Sequence, residues 1–452
     1  MKEEKKKTEY TKADIVRLEK KIEWLQKENK YLKKLTNSKR FKFAEGIATG
    51  YNNIFPKNTK RRDAFEVIGR GAIAVHNIPK NRRFKKTQAK IAQKVSNYDK
   101  IIVLNAIPWD IKLKQRPQHL AEELRKLGYF IIYFEKDNAI NTYREIKERL
   151  ITINNINLLY GIDTSAKKCY FMTPNNMPTD LETIMTVKEH GFEIIYDYLD
   201  EFHEDISGDL SIQLKVWDNL KKVNPILCCA TANRLIKQLE EHLGKKQKII
   251  SAKNAVNVDH FDYKKNDTKK PPMDLSAIVK EKKPIIGFYG ALAPWIDFEL
   301  INETAKKHKE WNFVLLGVDY NDAAADLEKG SNVYNLGAKN YSLLPAYAKY
   351  FNCAIIPFKQ GEIAKATSPV KLFEYMAAGL PTVCTRDLDE CRGYEYVYMA
   401  EDAKDFEKKL GQAIEDHEKS EARNKLLEQA NKNTWTNRAE AIRDSLDEIE
   451  TE

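Results

Sequence analysis

The chain has 452 residues, 42% apolar and 10% aromatic, which is too long for one ordinary hydrophobic core and too apolar for a disordered polymer. No run of 18 apolar residues and no charged-then-apolar leader occurs, so the sequence predicts neither a membrane span nor a secretory signal. The net charge of +10 belongs to one region: residues 1–100 hold 28 Lys and Arg against 11 Asp and Glu, and the other 352 hold 48 against 55.

In chain order, residues 1–40 come first as a coiled-coil or amphipathic helix. Ile15, Leu18, Ile22, Leu25, Asn29 and Leu32 alternate spacings of three and four, an a/d seam with an amide at one a position. This predicts a short parallel homodimer through 11–35, or a lone amphipathic helix packed elsewhere. Residues 41–97 read as a basic extension, densest at KNTKRR (57–62) and KNRRFKK (80–86). An anionic membrane surface suits it, at about 1 kcal/mol per basic residue; a solvated charged surface explains it equally well. No motif that reads bases accompanies it, so nucleic acid is not expected as a partner.

From Tyr98 the texture becomes strand and helix in alternation. KIIVLNAIPW (100–109), YFIIYFE (129–135), KCYFM (168–172), EIIYDYL (193–199), PILCCAT (225–231) and KIISAKNAV (248–256) read as buried strands, and RPQHLAEELRKLG and ANRLIKQLEEHLG as amphipathic helices. Continuous apolar strands separated by helices indicate a parallel sheet covered on both faces. Residues 98–262 are thus one domain. The polar stretch 263–284 reads as an interdomain linker. The pattern restarts over 285–432 with IIGFYG, NFVLLG, NVYNLG, CAIIPF and PTVCT, and a charged helix, 433–452, closes the chain. The expected fold class is α/β, two Rossmann-like doubly wound parallel-sheet domains facing across a cleft, where ligands belong beyond the carboxyl ends of the strands. The six cysteines lack CxxC spacing and sit in apolar runs, which predicts buried thiols and a cytoplasmic setting rather than disulfides or zinc; no metal site and no cofactor are expected.

The stretch SPVKLFEYMAAGLPTVCT (368–385) carries the chemistry. Ser368 suits a helix N-cap and Pro369 the first helical position. Free N–H groups at a helix start form an anion site, so the backbone of Ser368, Pro369, Val370, Lys371 and Leu372 with the Lys371 ammonium would suit a diphosphate. Glu374 would repel a phosphate but can accept from a vicinal diol such as a ribose. A plain Lys–Glu helix pair is the competing reading.

This stretch resembles the donor-binding segment of GT-B glycosyltransferases, particularly glycosyltransferase family 4 and bacterial surface-polysaccharide glycosyltransferases. Glu374 matches the second of that family's two glutamates, which pairs with the nucleotide ribose; the first falls at Ala366, and Thr367 or nearby backbone would substitute. NVYNLGAKNYSLLPAYAKYFNCAIIPF (332–358), with Gly337, resembles the family's nucleobase segment. KNAVNVDHF (253–261) resembles the segment closing the first domain, with Ala255 in place of a glycine, and NTWTNRAEAI (433–442) resembles the terminal helix that crosses back to it. Many relatives carry an Arg and a Lys after the first strand of the second domain; the loop here, GALAPWIDFELI (290–301), has neither, leaving Gly290 for close backbone approach, with Trp295 and Asp297 as candidates to shape a sugar pocket.

The resemblance implies a GT-B glycosyltransferase that moves a sugar from a nucleotide sugar to a glycan or lipid-linked acceptor in cell-surface polysaccharide synthesis, with retention of configuration, at the cytoplasmic face of the membrane. An epimerase on the same fold and a non-catalytic scaffold acting through the coiled coil are the rival readings. On the acceptor side, Trp109 and Arg116 follow the first strand, and Asp200 and Glu201 lie at the end of a buried strand; Asp110 and His119 are candidate bases beside the catalytic Lys371.

Overall fold

The computed structural model describes residues 82–451 apart from 112–113, 136–142, 176, 266–269, 329 and 331. The expected coiled coil, its dimer and most of the basic extension lie outside the described residues. Residues 84–452 form one compact unit that contains both sheets.

The first sheet has strands β1 (Lys100–Asn105), β2 (Phe130–Phe134), β3 (Tyr143–Lys147), β4 (Leu150–Ile153), β5 (Lys167–Met172), β6 (Glu193–Tyr198), β7 (Leu227–Ala230) and β8 (Ile249–Ser251). Their order is β3-β4-β2-β1-β5-β6-β7-β8. Only β3, paired to β4, is antiparallel. Side chains alternate across a strand, and both faces here are covered: Ile101 and Val103 enter one core, Ile102 and Leu104 the other. This lobe begins before Tyr98, because a helix over 82–95 places Ile91 and Val95 in the first of those cores.

The second sheet has β9 (Ile285–Tyr289), β10 (Asn312–Leu316), β11 (Val333–Asn335), β12 (Cys353–Ile356), β13 (Thr382–Thr385) and β14 (Val397–Ala400). All are parallel, in the order β11-β10-β9-β12-β13-β14, the doubly wound arrangement whose order reverses at β9. The stretch read as a linker is shorter than 263–284. A helix at Ser276–Lys280 buries Ile278 in the second lobe's core.

Six helices carry or brace the residues of the candidate site: α1 (Arg116–Lys126), α2 (Asn233–Leu243), α3 (Phe298–Lys307), α4 (Val370–Ala377), α5 (Ser420–Asn431) and α6 (Trp435–Thr451). The chain crosses between lobes twice. After β8 it runs to Val256, which pairs with Thr434 as the chain returns. Helix α6 then packs on the first lobe, burying Trp435, Ala439, Ile442 and Leu446 in the core that holds Leu120 and Leu124 of α1. All six cysteines are free and buried, and no helix among the described residues is long and apolar enough to cross a membrane.

Candidate active site

A glycine follows β9 and β10 directly and β11 after Leu336, and the three, Gly290, Gly317 and Gly337, continue the register of the strands. Gly290 takes φ +145°, and a β-carbon on Gly317 would meet the Gly290 carbonyl at 1.9 Å. The Gly317 N–H donates to the Gly337 carbonyl at 3.1 Å. Side chains are therefore kept out of a strip of backbone beside α4. Gly317 was not among the candidates, although the sequence repeats the strand-then-glycine pattern three times.

Helix α4 begins one residue later than expected. Pro369 is its N-cap and Val370 its first residue, and no side chain caps it. Ser368 is 1% exposed and serves the other lobe: its hydroxyl accepts from the Asn254 N–H at 3.2 Å and its carbonyl from Asn254 Nδ2 at 2.7 Å. Thr367 spends its hydroxyl proton on the Ile363 carbonyl, 2.6 Å away. Val370 packs on the first lobe's core, and Leu372 is fully buried in the second, so at these positions only backbone is left for a ligand. Ala366, at the place of the missing glutamate, is 1% exposed and packs into the first lobe.

Lys371 is only partly buried. Its ammonium lies 5.5 Å from the Phe288 ring and 5.3 Å from the Phe358 ring, and no hydrogen bond or ion pair joins it among the described residues. Burial pulls its pKa down; Glu374 and, more weakly, Asp200 pull it back. Glu374 is 5% exposed, and burial pushes its carboxyl up to about 7, against the effects of Lys371 and of the Tyr289 and Tyr341 hydroxyls. Those hydroxyls face the carboxyl closely enough to favour its charged form. The Lys–Glu helix pair is not formed as an ion pair. A cation without a counterion and a buried carboxyl thus stand side by side, and Tyr375 fixes their helix to β9 by accepting from the Tyr289 N–H at 3.0 Å.

Across from them lies the first lobe. Asp200 follows β6, partly exposed, with its backbone held by Asn175. Burial raises its carboxyl to about 6, with Arg116 and Lys371 lowering it and Asp197 raising it. Five first-lobe candidates have other duties. Arg116 makes a two-point ion pair with Asp197, Nε–Oδ2 3.0 Å and Nη2–Oδ1 2.8 Å, with both side chains at most 3% exposed, so it is not free for a phosphate. Glu201 accepts from Arg234 at 3.2 Å and Gln238 at 2.8 Å. His119 stacks on Trp435 at 4.9 Å and is pushed down to about 2, chiefly by burial, which removes it as a base. Asp110 is exposed and paired with Arg144. The Trp109 ring packs edge-on against Tyr133 at 5.1 Å, and its backbone N–H donates to Glu135 at 2.5 Å. In the second lobe, Asp297 caps α3 by accepting from the Leu300 N–H at 2.9 Å, and Trp295 packs on the core, tilted against Tyr320 at 6.1 Å.

The lobes are joined around this site by contacts not foreseen in the sequence. Glu390, 2% exposed, accepts from the Asn233 N–H at the start of α2 at 2.6 Å and pairs with Lys253 at 2.7 Å. Arg234 bridges Glu201 of its own lobe and Glu362 of the other.

Residues 275–433 match the family described as "Glycosyl transferases group 1". TuaH of Bacillus subtilis (strain 168), whose name assigns it to teichuronic acid biosynthesis as a glycosyltransferase, is 27% identical over 226 residues. That match covers 45% of this chain and 54% of TuaH, so the chain spans about half the length of the relative. Among solved structures, sucrose-phosphate synthase from Thermosynechococcus elongatus superposes with a TM-score of 0.59 at 13% identity, over 78% of this chain and 99% of that one. HepE of Anabaena in complex with UDP-glucose superposes with 0.53 at 11%, over 77% and 99%. The chain has the GT-B fold of glycosyltransferases, and its second lobe carries the group 1 glycosyl transferase segment within which Gly290, Lys371 and Glu374 fall.

Proposed function

We propose that the protein transfers a glycosyl group from a nucleoside-diphosphate sugar to a glycan or lipid-linked acceptor in surface-polysaccharide assembly. The observation that carries this is the Lys371 ammonium, without a counterion, beside Gly290 and one turn from the buried Glu374 carboxyl, inside the group 1 match. The names of TuaH and of the HepE complex with UDP-glucose support the same reaction class.

In this reading the first amides of α4 and Lys371 bind the diphosphate, while Glu374 accepts from the ribose hydroxyls. As the bond from the sugar's anomeric carbon to the phosphate oxygen breaks, its electron pair goes to the diphosphate, where the cation and amides stabilise it. The acceptor oxygen bonds to the same carbon and its proton leaves; Asp200, with its carboxyl near 6, is the group suited to receive it. Closure of the lobes excludes water that would hydrolyse the donor. Retention of configuration, attachment to the inner membrane face through the basic N-terminal segment, and dimerisation through 11–35 belong to the same reading.

Titration calorimetry with a panel of nucleoside diphosphates tests it, followed by an assay for diphosphate release with and without glycan acceptor. One nucleotide should bind, and its sugar conjugate should be consumed only when acceptor is present. Turnover without acceptor would favour an epimerase, and binding of no nucleotide a non-catalytic scaffold.

A further inference from the structure

A cavity of about 550 Å³ lies between α1, the chain leaving the first lobe at Val256–Asp262, and the junction of α5 with α6. Neither Gly290, Lys371 nor Glu374 lines it. Its size is that of a small-molecule site. The carboxylates on its wall are occupied. Glu122 accepts from Lys147 at 2.6 Å and Arg125 at 3.4 Å, and Glu123 from Lys126 at 2.6 Å and Thr436 at 2.9 Å. Asp259 pairs with Lys265, and Asp262 accepts from the Lys264 N–H at 2.8 Å.

Donors are what remain. Lys114 lines the cavity, and its ammonium has no hydrogen bond or ion pair among the described residues. Trp435 and His119, 2% and 4% exposed, leave Nε1 and Nε2 buried without partners, on rings stacked 5° from parallel. An ammonium and an indole N–H can only donate, and a neutral imidazole nitrogen adapts to either role. Leaving such groups unsatisfied in a buried place is costly. Their complement is an oxyanion.

We propose that this cavity is a second ligand site, separate from the donor cleft, which takes a small organic phosphate or carboxylate through the Lys114 ammonium and the Trp435 indole N–H. The volume leaves room for more than the anion itself.

Calorimetry on the full chain with inorganic phosphate, glucose 6-phosphate and citrate tests this, alongside a UDP titration that reads the donor cleft independently. At least one of the three anions should bind saturably at a single site. Lys114→Gln should weaken it by about tenfold or more. Trp435→Phe, which keeps the ring and removes the N–H, should weaken it by about threefold or more, and UDP binding should stay within about twofold in both variants. Thermal melts establish that the variants fold. Absence of saturable binding by all three anions, or affinities unaltered in both variants, would overturn the proposal whatever UDP does.

Discussion

The Lys371 side chain lies against the α-carbon of Gly290: a β-carbon at that glycine would stand 2.9 Å from Lys371 Cε and 3.3 Å from Nζ. A backbone strip without side chains and a cation without a counterion therefore meet at one point. Lys371→Met should weaken nucleoside diphosphate binding by about 10- to 100-fold, measured calorimetrically, because a charge-assisted contact is lost. Melting should change little, since the cation has no hydrogen bond or ion pair among the described residues. Gly290→Ala should weaken binding as well, by displacing the lysine and by straining a backbone held at φ +145°.

Glu374 makes a prediction about pH. Its carboxyl titrates at about 7 in the fold against an ordinary 4.5, so between those values the folded state binds more protons than the unfolded one. Stability therefore falls as pH rises through that window, and the penalty is complete above it. Glu374→Gln should then be more stable than the unaltered protein at pH 8, by on the order of 1–3 kcal/mol, and equal to it near pH 4. The same variant should bind nucleoside diphosphate more weakly by about 1–3 kcal/mol, having lost a charged acceptor. Denaturant titrations at the two pH values and calorimetry at pH 8 measure both effects. Unchanged affinity would rule out the ribose role.

Arg116 belongs to the scaffold on this structure. Arg116→Met leaves Asp197 buried and unpaired and should cost about 3–5 kcal/mol in denaturant unfolding. The double variant Arg116→Met/Asp197→Leu should recover most of that loss, and its UDP affinity should match the unaltered protein. A phosphate-binding Arg116 would instead lose affinity in both.

The basic residues before Tyr98 should bind vesicles of anionic lipid, and the binding should collapse as the screening length falls from about 30 Å at 0.01 M salt to about 3 Å at 1 M. Co-sedimentation at the two salt concentrations measures this. Salt-insensitive binding, or none, removes the membrane attachment and leaves the catalytic reading untouched.

The strands of both sheets other than β3, β4 and β14 were legible in the sequence because a parallel sheet covered on two faces writes itself as unbroken apolar runs. The β3–β4 hairpin was missed for the opposite reason. YREIK is an edge strand with charged residues facing outward, and its turn passes through Arg149 at φ +59° without a glycine to announce it. The donor helix could be placed by its composition, but its first residue could not, since Ser368 looks like a cap until Asn254 is seen to claim it. On the acceptor side the residue types were read correctly as polar and their partners were invisible. Arg116 and Asp197 are 81 positions apart, and Glu390 and Asn233 are 157 apart. Local pattern carries no information about such pairs.

Two crossings of the chain, close together at Val256 and Thr434, pin one lobe to the other like the paired knuckles of a door. A single tether would let the halves tumble; two fix an axis, and a swing about it must break the Lys253–Glu390 and Arg234–Glu362 pairs. Because the second pin continues into α6, clamped on the first lobe through Trp435 and its neighbours, clipping residues 435–452 would loosen the pair and blur the alignment of Asp200 with Lys371.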